Sequence, residues 1–295
     1  MESRIGECEN VLENVCVIGA DHIAEACCHI VVAVIDRDLF LERALEIERK
    51  IRAALANGNI FYNLQPQYDM EHKLIGFEAL ARMKDDDGTL ISPVEFIPVA
   101  EKTGLVEHID MRVFELAVQF MGTLVTDPAS DITMSVNVSV RHLMKNNFLD
   151  DIKRILNKYG VAPERIEIEI TESIMIDSAE KALQRIAELK KMGMKVAIDD
   201  FGTGYSSLSY LNSFPSDMLK IDKSFIDKMN QNEVSRQYVA MIISIGHTLD
   251  LKVISEGVES ADQIDTLKAI GCDYVQGFVW GRPLPPEEAE KLVKN

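Results

Sequence analysis

Glu78, Glu169, the adjacent pair Asp199-Asp200, and Glu256 each follow a short apolar run of the kind that forms a β-strand. Asn137 holds the same kind of position. In a chain that alternates strands and helices, strand ends converge on one rim. Carboxylates gathered there repel one another unless a cation lies between them. The set offers only oxygen donors, and no His or Cys joins it. Hard oxygen donors suit Mg²⁺ or Mn²⁺ better than Zn²⁺. So many carboxylates exceed what one Mg²⁺ takes from protein. Two ions about 3.5–4 Å apart, bridged by one Asp, would use the number well. Such a pair clamps a phosphate and generates hydroxide for in-line attack. Lys220, in Leu219-Lys220-Ile221-Asp222, stands beside the set, placed to steady the water or the charge building on phosphorus.

Taken singly, each acid is an ordinary solvated or salt-bridged surface group, Lys220 is a surface lysine, and Asp199-Asp200-Phe201-Gly202-Thr203-Gly204 is a glycine turn. Recurrence on strand after strand is what the bland reading fails to explain, because folding gains nothing from acids on a rim.

Positioning these residues requires a regular β/α framework. Residues 60–68 and 73–83 read as an antiparallel strand pair joined by the polar turn 69–72. Further strands are expected over 133–138, 166–171, 195–199, 218–221, 252–255 and 274–276. Helices are expected over 39–56, 93–101, 109–124, 148–159, 178–192, 206–212, 233–249, 261–270 and 286–293. The mid-chain strands read as continuous apolar runs covered on both faces. An open doubly wound sheet is possible on this pattern. About eight strands at this spacing fit an α/β fold of the TIM-like (β/α)₈ barrel type better, with an antiparallel first strand.

Residues 1–40 differ in character: 15–18 and 30–35 look like short buried strands flanking a helix over 21–28. This βαβ-like appendage has no evident role, and 41–295 form the barrel with its lead-in helix 41–56. Four of the five cysteines, Cys8, Cys16, Cys27 and Cys28, lie near the start, with Cys272 far away. They lack Cys-x-x-Cys spacing and read as small buried hydrophobes. His72, His142 and His247 show no evident partner in the sequence. A formal net charge of -17 opposes binding to nucleic-acid polymers or anionic lipid. No apolar run reaches the roughly 20 residues that span a bilayer. No basic segment leading into an apolar core opens the chain, so the cytoplasm is the expected compartment.

From about Asn57 onward the chain resembles the EAL family of cyclic di-GMP phosphodiesterases. The resemblance rests on Glu78-Ala79-Leu80-Ala81-Arg82, Asn137-Val138-Ser139, Glu169-Ile170-Thr171-Glu172, the run from Asp199 to Leu208, Leu219-Lys220-Ile221-Asp222, Glu256-Gly257-Val258-Glu259 and Gln276-Gly277-Phe278, in that order. It implies a barrel with an antiparallel first strand and hydrolysis of cyclic di-GMP to linear pGpG with two Mg²⁺ or Mn²⁺ ions. Ca²⁺ would bind without supporting turnover. The resemblance assigns Glu78, Asn137, Glu169, Asp199, Asp200 and Glu256 to metal. It gives Lys220, Glu256 and Gln276 to the attacking water, and Gln65, Arg82 and Asp222 to substrate. It makes Glu172 the anchor of the loop after Asp200, a loop that in the family lies by a homodimer interface. Where the family commonly has Tyr-Gln-Pro, this chain has Leu64-Gln65-Pro66, and no GGDEF motif is found. A catalytically inactive cyclic di-GMP receptor is the alternative, although such proteins usually lose acids that this chain keeps.

Overall fold

A computed structural model describes residues 41–124, 132–174, 179–203, 211 and 213–294. The expected βαβ fragment within 1–40, its cysteines, and nearly all of the helix expected over 206–212 lie outside the described residues.

Nine strands are described: β1 (Ile60–Asp69), β2 (Leu74–Lys84), β3 (Leu90–Ile91), β4 (Thr133–Asn137), β5 (Ile166–Thr171), β6 (Lys195–Phe201), β7 (Met218–Ile221), β8 (Lys252–Ser255) and β9 (Tyr274–Gln276). Eight of them close into a barrel in the order β1-β2-β4-β5-β6-β7-β8-β9, with β9 returning to β1, and β3 lies outside, paired to the end of β2. β1 runs antiparallel to both its neighbours, and every other barrel pairing is parallel. The fold is therefore the barrel expected from the sequence, not an open doubly wound sheet.

The strands are not the two-sided apolar runs that the sequence pattern suggests. They alternate. Ile166, Ile168 and Ile170 of β5 point outward into the core between barrel and helices, as do Met134 and Val136, Val196 and Ile198, Leu219 and Ile221, Val253, and Val275. The residues between them face the barrel interior. Its lower layer holds Ala197, Met218, Ile254 and Tyr274, a small apolar cluster apart from the main core. The layer above is polar.

The lead-in helix, residues 41–57, buries Ile47, Ile51 and Ala54 against the main core. Arg43 reaches Glu95 at 2.7 Å and Lys50 reaches Asp85 at 2.9 Å, fixing its exposed edge. The helix Val106–Leu124 packs on β1, β2 and β4. The helix Lys223–Met229 was not expected from sequence; it is short, and its signal is the cap Asp222, whose carboxylate accepts from Ser224 N–H at 3.0 Å. No helix among the described residues is long and apolar enough to cross a membrane.

Candidate active site

The strand-end placement of the acids needs correction. Glu78 lies mid-strand in β2, because β2 continues along β1 after its pairing with β4 stops at Ala79. Asp199 and Asp200 lie inside β6, which runs on to Phe201. The register of β6 on β7 slips between Ile198 and Phe201, and within that slip Asp200 adopts a left-handed backbone, φ 55°. The slip turns Asp200 out of the strand alternation and toward the pocket rim. What unites these residues is the inward face of the barrel.

At its centre stands Lys220, not beside the acids but among them, only 1 % exposed. Its ammonium lies 2.6 Å from Glu169, 2.7 Å from Glu256, 3.4 Å from Asp199 and 3.7 Å from Glu78. The Asn137 amide donates to Glu78 at 2.6 Å, and the Gln276 amide donates to the other Glu78 oxygen. Gln276 in turn accepts from Gln67 at 2.9 Å and donates to Gln65 at 3.4 Å. The antiparallel β1 makes this possible, since its register sets Gln65 opposite Glu78 and Gln67 opposite Gln276.

One ammonium against four carboxylates leaves the layer short of positive charge. Burial, the Glu78 carboxylate and the other acids hold Glu169 well above its usual range against the pull of Lys220. Burial, reinforced by Asp199 and Glu78, pushes Glu256 up to about 8. Burial and the Asp199 and Asp222 charges push Asp200 up to about 6. Glu78 differs: burial opposes its charge, but Lys220 and the Gln276 and Asn137 amides hold it below the usual carboxylate range. Burial also opposes the Lys220 charge, and the four acids outweigh it.

As placed, no three acids among the described residues converge closely enough to share one ion. The donor chemistry nonetheless fits a hard divalent cation. All the donors are oxygen, they are buried in excess of the local positive charge, and Glu169 Oε1 is buried without a hydrogen-bond partner. The side chains that would ligate metal are the ones that clasp Lys220.

Beside this layer opens a pocket of about 480 Å³, walled by Arg82, Ile97, Asn137, Ser139, Glu169 and Asp200 among others. Arg82 hydrogen-bonds Ala81 O at 2.8 Å at its edge. Asp222 caps the helix Lys223–Met229 through the Ser224 N–H, close enough to the site for its charge to act on Asp200. Glu172 stands outside the Lys220 cluster: it accepts from the Gly202 N–H at 2.7 Å, holding the turn after Asp200 where Gly202 takes φ 94°. Sequence reading missed Gln67 and the buried Ser135–Glu167 pair (2.8 Å) one layer below Asn137 and Glu169. The period-two pattern of Glu167-Ile168-Glu169-Ile170 was the available signal. His247, without an evident partner in the sequence, lies 2.8 Å from Asp273.

The EAL domain family model matches residues 48–283. The chain belongs to the EAL domain family. It is 41 % identical over 250 residues to the signaling protein YkoW of Bacillus subtilis, covering 84 % of this chain and 31 % of that protein. It is 33 % identical over 251 residues to the cyclic di-GMP phosphodiesterase PdeR of Escherichia coli, covering 85 % of this chain and 38 % of PdeR. This EAL chain thus spans about a third of the length of the curated relatives it matches. Its fold is similar to a solved cyclic di-GMP complex of the PaMucR phosphodiesterase, with TM-score 0.79 and 35 % identity over 83 % of this chain and 99 % of that one.

Proposed function

We propose that this chain hydrolyses one phosphodiester of cyclic di-GMP to give linear pGpG, using two Mg²⁺ or Mn²⁺ ions. The observation that carries the reading is the complete oxygen layer around Lys220, opening into a pocket of nucleotide size. Glu78, Asn137, Glu169 and Asp199 would hold one ion, Asp199 and Asp200 the second, with Glu256 in contact. When bound, the ions neutralise phosphate charge and acidify water. The chain's own residues supply the rest. Glu256 is assigned as the base that takes a proton from water; burial and the Asp199 and Glu78 charges hold its carboxyl above the usual range, and the positive charge of the ions would favour the carboxylate form that this role needs. Lys220, 2.7 Å from it, steadies the developing negative charge. Gln276 fixes Glu78 from behind. Arg82, on the pocket wall, and Gln65, bonded to Gln276, are assigned to phosphate and guanine, Asp222 to the substrate, and Glu172 to the loop after Asp200.

The reading includes a cytoplasmic homodimer. Val234, Tyr238 and Met241 lie exposed along the helix Glu233–Thr248, and Tyr238 stacks on Phe225, the ring against Gly202. This exposed apolar surface supports the dimer.

Incubation with cyclic di-GMP in Mg²⁺ should yield pGpG by chromatography, and Ca²⁺ should support binding without product, because its longer, looser coordination places water poorly. Tight binding in both Mg²⁺ and Mn²⁺ with no product would establish the receptor instead.

A further inference from the structure

The helix Val106–Leu124 sends one buried carboxylate, Asp110, into the turn that follows β4. Asp110 Oδ2 accepts from the Ser139 backbone N–H at 2.9 Å and from the Ser139 hydroxyl at 2.7 Å. His142 Nδ1 lies 3.5 Å from the same oxygen. Ser139 in turn caps the short helix Val140–Leu143, its side chain accepting from His142 N–H. One carboxylate oxygen thus gathers both ends of this turn. Asn137 lies two residues upstream, with its amide on Glu78 at 2.6 Å. Between them Val138 N–H donates to Glu169 O at 2.9 Å.

A buried carboxylate is costly unless its hydrogen bonds offset desolvation. Asp110 makes those bonds to a turn rather than within its own helix. Glu107 of the same helix holds the segment beyond the turn, through Arg141 at 3.0 Å and Lys145 at 3.1 Å, so Asp110 is the contact to the turn itself. Arg141, two residues after Ser139, lies over Gly104 (φ 75°), where an added Cβ would stand 2.7 Å from the guanidinium. Asp110, Ser139 and Arg141 all wall the pocket described above.

We propose that Asp110 is a positioning residue for the metal site: it clamps the Ser139 turn and thereby sets the direction of the Asn137 side chain. The proposal rests on Asn137 being a metal ligand. Residues that orient ligands without touching the ion typically contribute about 10–100-fold in metal affinity.

The test titrates Mn²⁺ alone into the full chain by calorimetry, with folding checked by circular dichroism. Asn137→Ala and Asp110→Ala should each weaken Mn²⁺ binding by about 10–100-fold. Asp110→Asn keeps an acceptor oxygen and should recover most of the loss. Ser139→Ala removes the hydroxyl bond and keeps the backbone one, so it should fall between, and its effect should not add to that of Asp110→Ala, because both loosen the same clamp. Wild-type Mn²⁺ affinity in folded Asp110→Ala, with Asn137→Ala impaired, overturns the proposal. An equal loss in Asp110→Asn does so too. Wild-type affinity in Asn137→Ala overturns the metal-site reading itself. If Asp110→Ala does not fold, Ser139→Ala decides: unchanged affinity there overturns the clamp.

Discussion

The two layers of the barrel interior are built from the same strands by the same alternation, yet they do opposite things. Met218 lies two residues before Lys220, Ala197 before Asp199, Ile254 before Glu256 and Tyr274 before Gln276. Along β6 to β9 the lower layer is apolar and fills space. The upper layer is a buried cation ringed by acids whose mutual repulsion it only partly offsets. A barrel interior is a poor solvent for charge, so the lower layer contributes stability and the upper layer consumes it in exchange for the cation-binding site proposed above. Ser135 and Glu167 sit on the boundary, polar side chains in the lower layer; burial holds the Glu167 carboxyl above its usual range.

Breaking the upper layer at its centre should have the largest effect. Lys220→Met leaves four acids without their cation and should destabilise the metal-free protein by about 3–5 kcal/mol. Thermal unfolding in a chelator measures this, and a wild-type midpoint would mean that the ammonium does not hold the layer. Glu169→Gln sharpens the contrast. Turnover of cyclic di-GMP should fall about 10²–10³-fold, yet the metal-free melting temperature should not drop, because Glu169 is strained by burial and by Glu78. A variant that loses both activity and stability would contradict the trade between the layers. In the lower layer, Ile254→Val should cost about 0.5–1.5 kcal/mol while Mn²⁺ affinity stays at the wild-type value; a change in affinity would show that the layers are not separable.

The smallest effect is the pH dependence. Glu256, pushed from an ordinary 4.5 to about 8, and Asp200, from 3.8 to about 6, bind their protons more tightly folded than unfolded. Their contribution therefore favours the fold at low pH and is lost as pH rises through about 6 and then about 8. In chelator the melting temperature should decline from pH 6 to pH 9, and saturating Mg²⁺ should flatten that decline. A metal-free midpoint that rises over this range would reverse the sign assigned to these groups.

Much of this was legible in the chain. The strands at 166–171, 218–221, 252–255 and 274–276 and the helix at 148–159 fall where the sequence pattern puts them, because each is a periodic run bounded by strong breakers such as Gly160 and Gly271. The acids were legible as a set. Their placement was not, since a strand's end cannot be read where its partner carries it on, as β1 does for β2 past Glu78. The Asp110 clamp was invisible for a different reason: a lone Asp in an amphipathic helix reads as surface until the turn after β4 folds against it.

By itself, the sequence determined the oxygen-only donor set, the β/α alternation and the motif order that marks the EAL family, because all three are local properties of residue type and spacing. Only the tertiary structure decided that Lys220 sits within the acids instead of beside them. It also decided the register by which the antiparallel β1, already legible as half of a hairpin, brings Gln65 opposite Glu78 and Gln67 opposite Gln276, and that Asp222 caps the helix after β7. Those outcomes depend on which strands become neighbours when the barrel closes. Closure is set by packing the outward faces of all eight strands at once, so no single segment encodes it.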